Sequence, residues 1–441
     1  MPASTAKPSY ALVHHRPDAF RLGGACAGPL TTGNLHAGMS RLATESGVSV
    51  LPGKRVQVAS AFRWNVEESV MLSPVARAGG KGARDPSRRS ARSIASLMGI
   101  VAVLAGTAAR GEAPAGETIR LQIVGGLARV TQFTDFEQPF WKKEITARSG
   151  GRIVADITPL DGGGLRGQEM LQLMRLGVVP FGSALLSVVA GDEPELNAVD
   201  LPVLSPDMAT LRRSVAAYRG HLAKVLRERY DIELLGLYVY PAQVLFCKAP
   251  FASLDDMKGR RIRTSSVGQS DLMTALGAMP VVMPFAETVT ALRDDVVDCV
   301  VTGTLSGYEI GLPDVTTHVH AMAISWGLSF FGANVSAWQA LPEDARDTIR
   351  TGVGDLERRI WEQAEADTGR GLACNVGTAA CAGKPARPMT LVPTSPADEV
   401  RRRRLLQDFV LPRWVDRCGA ACADAWNAYL AKVHSIVVKS E

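Results

Sequence analysis

LDDMKGRRIRTSSVGQSDLMTALGAMPVVMPFAETVTALRDDVVDCVVTG, running from Leu254 to Gly303, decides the fold of this chain. It reads as strand, helix, strand, helix, strand. RIRT is a short strand with Arg263 at its end, and Ser265, Ser266, Gly268 and Gln269 follow where a helix must begin. A guanidinium there stands beside a helix N-terminus, whose unpaired N–H groups and dipole already favour an anion, so a carboxylate fits. After Gly277, which closes that helix, MPVVMPF is an apolar strand ending in a loop at Pro284 and Phe285. Residues 287–293 form the next helix and residues 296–301 a buried strand. Alternating βαβ units predict a parallel sheet with ligands off the carboxyl ends of its strands. Arg263, Ser266, Phe285 and Thr302 all fall at such ends.

The chain has 441 residues, 46% hydrophobic and 21% charged, with net charge +5. That is enough for two ordinary domains and too apolar for a disordered chain. Much of the positive excess precedes residue 115, and no basic stripe is interleaved with aromatics, so nucleic acid is excluded as a partner. RRRR at 401–404 reads as a solvated helix face.

Residues 1–86 show no period and receive no fold. Arg84, Arg88, Arg89 and Arg92 precede the apolar run IASLMGIVAVLAGTAA, which ends among small residues. This describes a secretory signal peptide over 87–113, too short for a spanning helix. Its place within the chain points to a translation start at Met71, with a genuine N-terminal extension as the alternative.

Residues 117–240 supply a first lobe, completed by 328–350. Its first strand, 119–124, leads into a loop offering Gln132 and Thr134 as cleft contacts or as caps of the helix 136–148. The second strand, 152–157, leads through GGGLRGQ, whose spacing lacks a phosphate motif, toward Gln168 and Glu169. Residues 241–327 form a second lobe, completed by 370–417. Tyr238, Tyr240 and Gln243 sit where the lobes meet, and Trp326 lies on the returning segment, facing cleft or core. Residues 342–369 form one long helix, with Pro342 at its start and acids in its first turn. Residues 418–441 are a C-terminal segment.

Six cysteines follow the leader, an even count that favours disulfides in an exported chain. Cys374 with Cys381 and Cys418 with Cys422 are close enough to pair across glycine-containing loops, crossed pairing being the alternative. Cys247 and Cys299, on strands of one lobe, are expected as buried thiols. His318 and His320 lack further ligands in local register, so no metal and no cofactor is expected.

The patterns DxxGxxIR, GAxPVxMPFxExxxAL and VVDxxxTG resemble the core of the DctP-type solute-binding proteins of TRAP (tripartite ATP-independent periplasmic) transporters, from about Ile119 to the C-terminus. The resemblance implies an α/β, two-lobed periplasmic binding protein-like fold, type II-like, with Rossmann-like lobes and a long connecting helix. It implies a monomeric periplasmic receptor of a Gram-negative bacterium, not an enzyme, that binds an organic acid and delivers it to membrane permease subunits. Arg263 matches the family's carboxylate-binding arginine. Gln243 stands where many relatives carry a second arginine, and Thr302 where many carry asparagine, so the expected ligand is a monocarboxylate with an apolar or aromatic body. The candidate site is Arg263, Gln243, Ser265, Ser266, Phe285, Thr302, Trp326, Gln132 and Glu169. A receptor feeding a sensory kinase shares this fold. An exported enzyme is the rival from another class, but neither GxSxG nor HExxH occurs.

Overall fold

The computed structural model describes residues 117–381 and 387–439; the leader expected over 87–113 and residues 1–86 lie outside them. In chain order the strands are β1 (Ile119–Gly125), β2 (Ile153–Pro159), β3 (Phe181–Leu185), β4 (Ile232–Tyr238), β5 (Gln243–Cys247), β6 (Arg261–Thr264), β7 (Met279–Val282), β8 (Cys299–Gly303), β9 (His318–His320), β10 (Ser329–Asn334) and β11 (Thr390–Val392). They form two sheets, ordered β2-β1-β3-β10-β4 and β11-β9-β5-β8-β6-β7, one to each lobe of an α/β binding-protein fold.

The parallel sheet expected from the βαβ units is only part of each lobe. β1, β2 and β3 are parallel, as are β6, β7 and β8, but β5 runs antiparallel to β8 and β9, and β10 antiparallel to β3 and β4. β5 and β10 are the strands entered after the chain crosses between sheets. Residues 239–242 make the crossing from β4 to β5.

Period-two alternation seats the first sheet: Leu121 and Ile123 of β1 are buried while the residues between them face outward. Against that face pack Phe140, Trp141 and Phe331, with the Trp141 and Phe331 rings 5.1 Å apart. The other side is covered by the helix Met208–Tyr230, through Leu211, Tyr218 and Leu222. Asp207 caps that helix by accepting the Thr210 N–H at 2.7 Å.

The long helix runs Glu343–Asn375, six residues beyond the expected end. Glycine does not stop it, because Gly371 is where the helix meets the backbone of the helix Thr304–Glu309. A Cβ on Gly371 would lie 2.3 Å from the Leu305 nitrogen. Asn375 seals the contact, its amide donating to the Thr304 carbonyl and to the Gly371 carbonyl, each at 2.8 Å. The first-lobe core residues Ile349, Val353 and Leu356 sit on the same helix, so one rod serves both lobes.

The structure pairs Cys374 with Cys381 and Cys418 with Cys422. It also corrects the expectation of buried thiols at Cys247 and Cys299, which form a third disulfide. The two residues face each other in the antiparallel β5–β8 register with Cα atoms 4.1 Å apart, a coincidence that strand assignment without register does not reveal.

Two outcomes follow from this packing. Replacing both Cys247 and Cys299 by valine should lower the free energy of unfolding by about 2–4 kcal/mol, read from urea denaturation under non-reducing conditions; an unchanged midpoint would refute the cross-link. Gly371→Ala should cost about 1–3 kcal/mol through backbone overlap, whereas Gly369→Ala, with nothing within 4 Å of its Cβ position, should be neutral or mildly stabilising in the same titration.

Candidate functional site

Arg263, at the third position of β6, is 2% exposed. Its Nε and one terminal nitrogen donate to the Met283 carbonyl at 3.2 and 3.0 Å, and the other terminal nitrogen donates to the Val301 carbonyl at 2.9 Å. Of five guanidinium N–H groups, three are thereby used, leaving one on each terminal nitrogen. Among the described residues no carboxylate lies within ion-pair distance. Burial pulls its pKa down to about 10, with the charge of Glu287 acting in the opposite direction; it stays cationic at neutral pH. A fork held by two strand ends is a geometry that carboxylates match.

The guanidinium opens on a cavity of about 480 Å³ with walls from both sheets. From the second lobe come Arg263, Gln243, Ser265, Met283, Phe285 and Thr302; from the first come Leu160, Leu165, Arg166, Val188 and Glu169, with Asp161 beside them and Tyr240 at the crossing. Six of the sequence candidates, Arg263, Gln243, Ser265, Phe285, Thr302 and Glu169, therefore line one space.

Three candidates do not line it. Ser266 is buried as the cap of the helix Val267–Ala275, its hydroxyl accepting the Gln269 N–H. Trp326 is core: its indole N–H donates to the Ser205 carbonyl at 2.9 Å, and its backbone N–H to Asp200 at 2.8 Å. Gln132 turns away to donate to Glu137 at 2.6 Å and lines a separate, much smaller cavity beside the crossing. Arg166 is the polar residue that the sequence reading passed over. It sits in the glycine-rich loop at the carboxyl end of β2, a position that the strand-end rule applied to Arg263 also marks.

The model of a family described as bacterial extracellular solute-binding protein, family 7 (DctP), matches residues 129–371, more than half of the chain. The chain belongs to this family. Among its relatives, the outer membrane transporter protein TsaT of Comamonas testosteroni is 27% identical over 251 residues, 51% of this chain and 71% of that protein. The C4-dicarboxylate-binding periplasmic protein DctP of Rhodobacter capsulatus is 26% identical over 207 residues, 46% of this chain and 59% of that protein. The same fold is seen in DctP7 of Bordetella pertussis, a receptor binding pyroglutamic acid, with TM-score 0.63, 22% identity, and coverage of 71% of this chain and 99% of that one. A TRAP periplasmic solute-binding protein of Desulfovibrio salexigens with bound orotic acid gives TM-score 0.62, 19% identity, and coverage of 73% and 100%. Family and fold are those of solute-binding receptors, not enzymes. No helix among the described residues is long and apolar enough to cross a membrane.

In this DctP-type protein carboxylates hold several backbone segments in place, Asp200 and Glu137 from buried positions. Asp200 accepts the N–H groups of Trp326, Gly327 and Leu328 at 2.8, 2.8 and 3.2 Å, and burial raises its pKa to about 6. Thr131 of the first lobe donates to Glu309 of the second, whose pKa burial also raises. Glu137 accepts the Gly126 N–H at 2.8 Å, and a Cβ on Gly126 would meet both Glu137 and the Tyr240 hydroxyl within 3 Å. This holds the loop after β1 down on the cavity floor.

Glu137 also sets a pH dependence. Burial pushes its pKa up from 4.5 to about 7, so the folded protein keeps a proton that the unfolded chain releases. The proton-linked stability is present below pH 4.5 and is lost as pH rises toward 7. Unfolding titrations of Glu137→Gln and the parent across this window should differ by on the order of 3 kcal/mol in their pH-dependent change, the variant having the flatter curve; parallel curves would remove the assignment.

Proposed function

We propose that this protein is the periplasmic receptor of a TRAP-type transporter: it encloses one small organic acid between its lobes, with the carboxylate on Arg263, and delivers it to membrane permease subunits. The observation that carries the reading is a buried guanidinium that has no acidic partner among the described residues and opens on an interlobe cavity. Structural relatives with bound pyroglutamate, orotate, succinate and gulonate support the class of ligand.

The walls favour a monocarboxylate with an apolar body. Leu160, Leu165, Val188, Met283 and Phe285 line the space beyond Arg263. On the facing wall Arg166 is accompanied by both Asp161 and Glu169, so the far end of the ligand meets a wall with more negative than positive groups. A second carboxylate would be repelled there. Ligand contact with both walls shifts the population toward the closed arrangement, the usual device of hinged receptors.

Arg263→Ala and Arg263→Lys should each weaken binding of the cognate acid more than a hundredfold, about 3–5 kcal/mol. Lysine fails because a point charge cannot reproduce the fork. A thermal-shift screen of monocarboxylic and dicarboxylic acids identifies the ligand, and isothermal titration of both variants gives the loss. Unchanged affinity in both would remove Arg263 from the site.

A further inference from the structure

We infer that the site is built for an acid carrying a hydrogen-bond donor on the carbon next to its carboxylate, a 2-hydroxy acid in preference to its 2-oxo or unsubstituted counterpart, and that Ser265, set by Gln269, makes the distinction. This rests on the reading of Arg263 as the carboxylate anchor. Arg263 and Ser265 are two residues apart at the end of β6 and line the same cavity, so a ligand group beside the carboxylate meets the serine hydroxyl.

The polarity of that hydroxyl is fixed by a chain of bonds starting at a backbone amide. Gln269 is 2% exposed, and its Oε1 accepts both the Ser265 N–H at 2.9 Å and the Ser265 O–H at 3.1 Å. A backbone N–H only donates, so the amide oxygen, not its nitrogen, must face Ser265. Gln269 Nε2 then faces the other way and spends both protons, on Gln243 Oε1 and Ser325 Oγ, each at 3.1 Å. Every polar site of the Gln269 side chain is occupied. Ser265 has one hydroxyl proton and has given it to Gln269, leaving its oxygen lone pairs for the cavity. Turning the proton toward a ligand carbonyl would break a bond in a buried network. A ligand hydroxyl is accepted, and a ligand carbonyl meets another acceptor.

The test uses isothermal titration with lactate, pyruvate and propionate, and with mandelate, phenylglyoxylate and phenylacetate, on the parent, Ser265→Ala, Gln269→Leu and Arg263→Lys proteins. In at least one series the hydroxy acid should bind about threefold to tenfold tighter than its oxo and unsubstituted partners, the worth of one net hydrogen bond. Ser265→Ala should abolish the gap. Gln269→Leu, which frees the serine proton, should move the preference toward the oxo acid, a change in ratio that loosened packing alone would not produce. Hydroxy acids binding no better than their partners in either series, or a gap that survives Ser265→Ala, overturns the inference. Arg263→Lys reports separately on the anchor: loss of affinity for all the acids keeps it, while unchanged affinity locates the failure in the anchor rather than in Ser265.

Discussion

A guanidinium taken out of water is costly unless its N–H groups are met, and at Arg263 the protein meets them with backbone. Met283 lies just past β7 and Val301 lies within β8, so the two carbonyls that hold the cation come from the strands on either side of β6. The bonds therefore tie three neighbouring strands together while fixing the plane of the fork. Neutral carbonyls stabilise the charge without cancelling it. An anionic side chain in their place would have satisfied Arg263 and left nothing for a ligand to complete.

The wall opposite the cation belongs largely to the other sheet. Residues 239–242 and the segment before β10 link the sheets directly, and Asp200 gathers three successive N–H groups of the latter. The long helix carries first-lobe core residues in its first half and abuts the helix Thr304–Glu309 through Gly371 in its second. Arg402, far along the chain, adds a bond to the Val203 carbonyl at 2.6 Å. Arg401 pairs with Asp255, so two members of the arginine run at 401–404 are tied into the fold rather than wholly in solvent.

How far the sequence discloses this differs by type of feature. Strand and helix order across residues 254–303 is legible because apolar runs, glycine punctuation and serine caps act locally. β6, the cap at Ser266 and the helix Val267–Ala275 all follow from neighbours in sequence. Strand direction is less legible: β5 and β10 oppose their neighbours because of where the chain crosses, and the Cys247–Cys299 bond depends on a register that no local pattern encodes. The site divides the same way. Residues at strand ends, Arg263, Ser265, Phe285 and Thr302, line the cavity where the strand-end rule puts them. Trp326 and Gln132 do not line the cavity, and the choice between the open alternatives is not legible locally because the partners that turn them away, Ser205, Asp200 and Glu137, are distant in sequence or lie one helical turn beyond. Arg166 was missed because a loop of glycines hides the orientation of the one charged side chain within it.

The polarity of the site depends on the glutamine at position 243. Gln243 contributes an acceptor to Gln269, and an arginine has none to offer. With arginine there, the Gln269 amide would lose one of its two acceptors and face five added donors, so the bond network that sets Ser265 could not persist in its present form. On the proposed reading, a cavity with Arg263 as anchor, an acceptor beside it and an acid-bearing far wall selects by what each atom can donate or accept, with net charge in a secondary part.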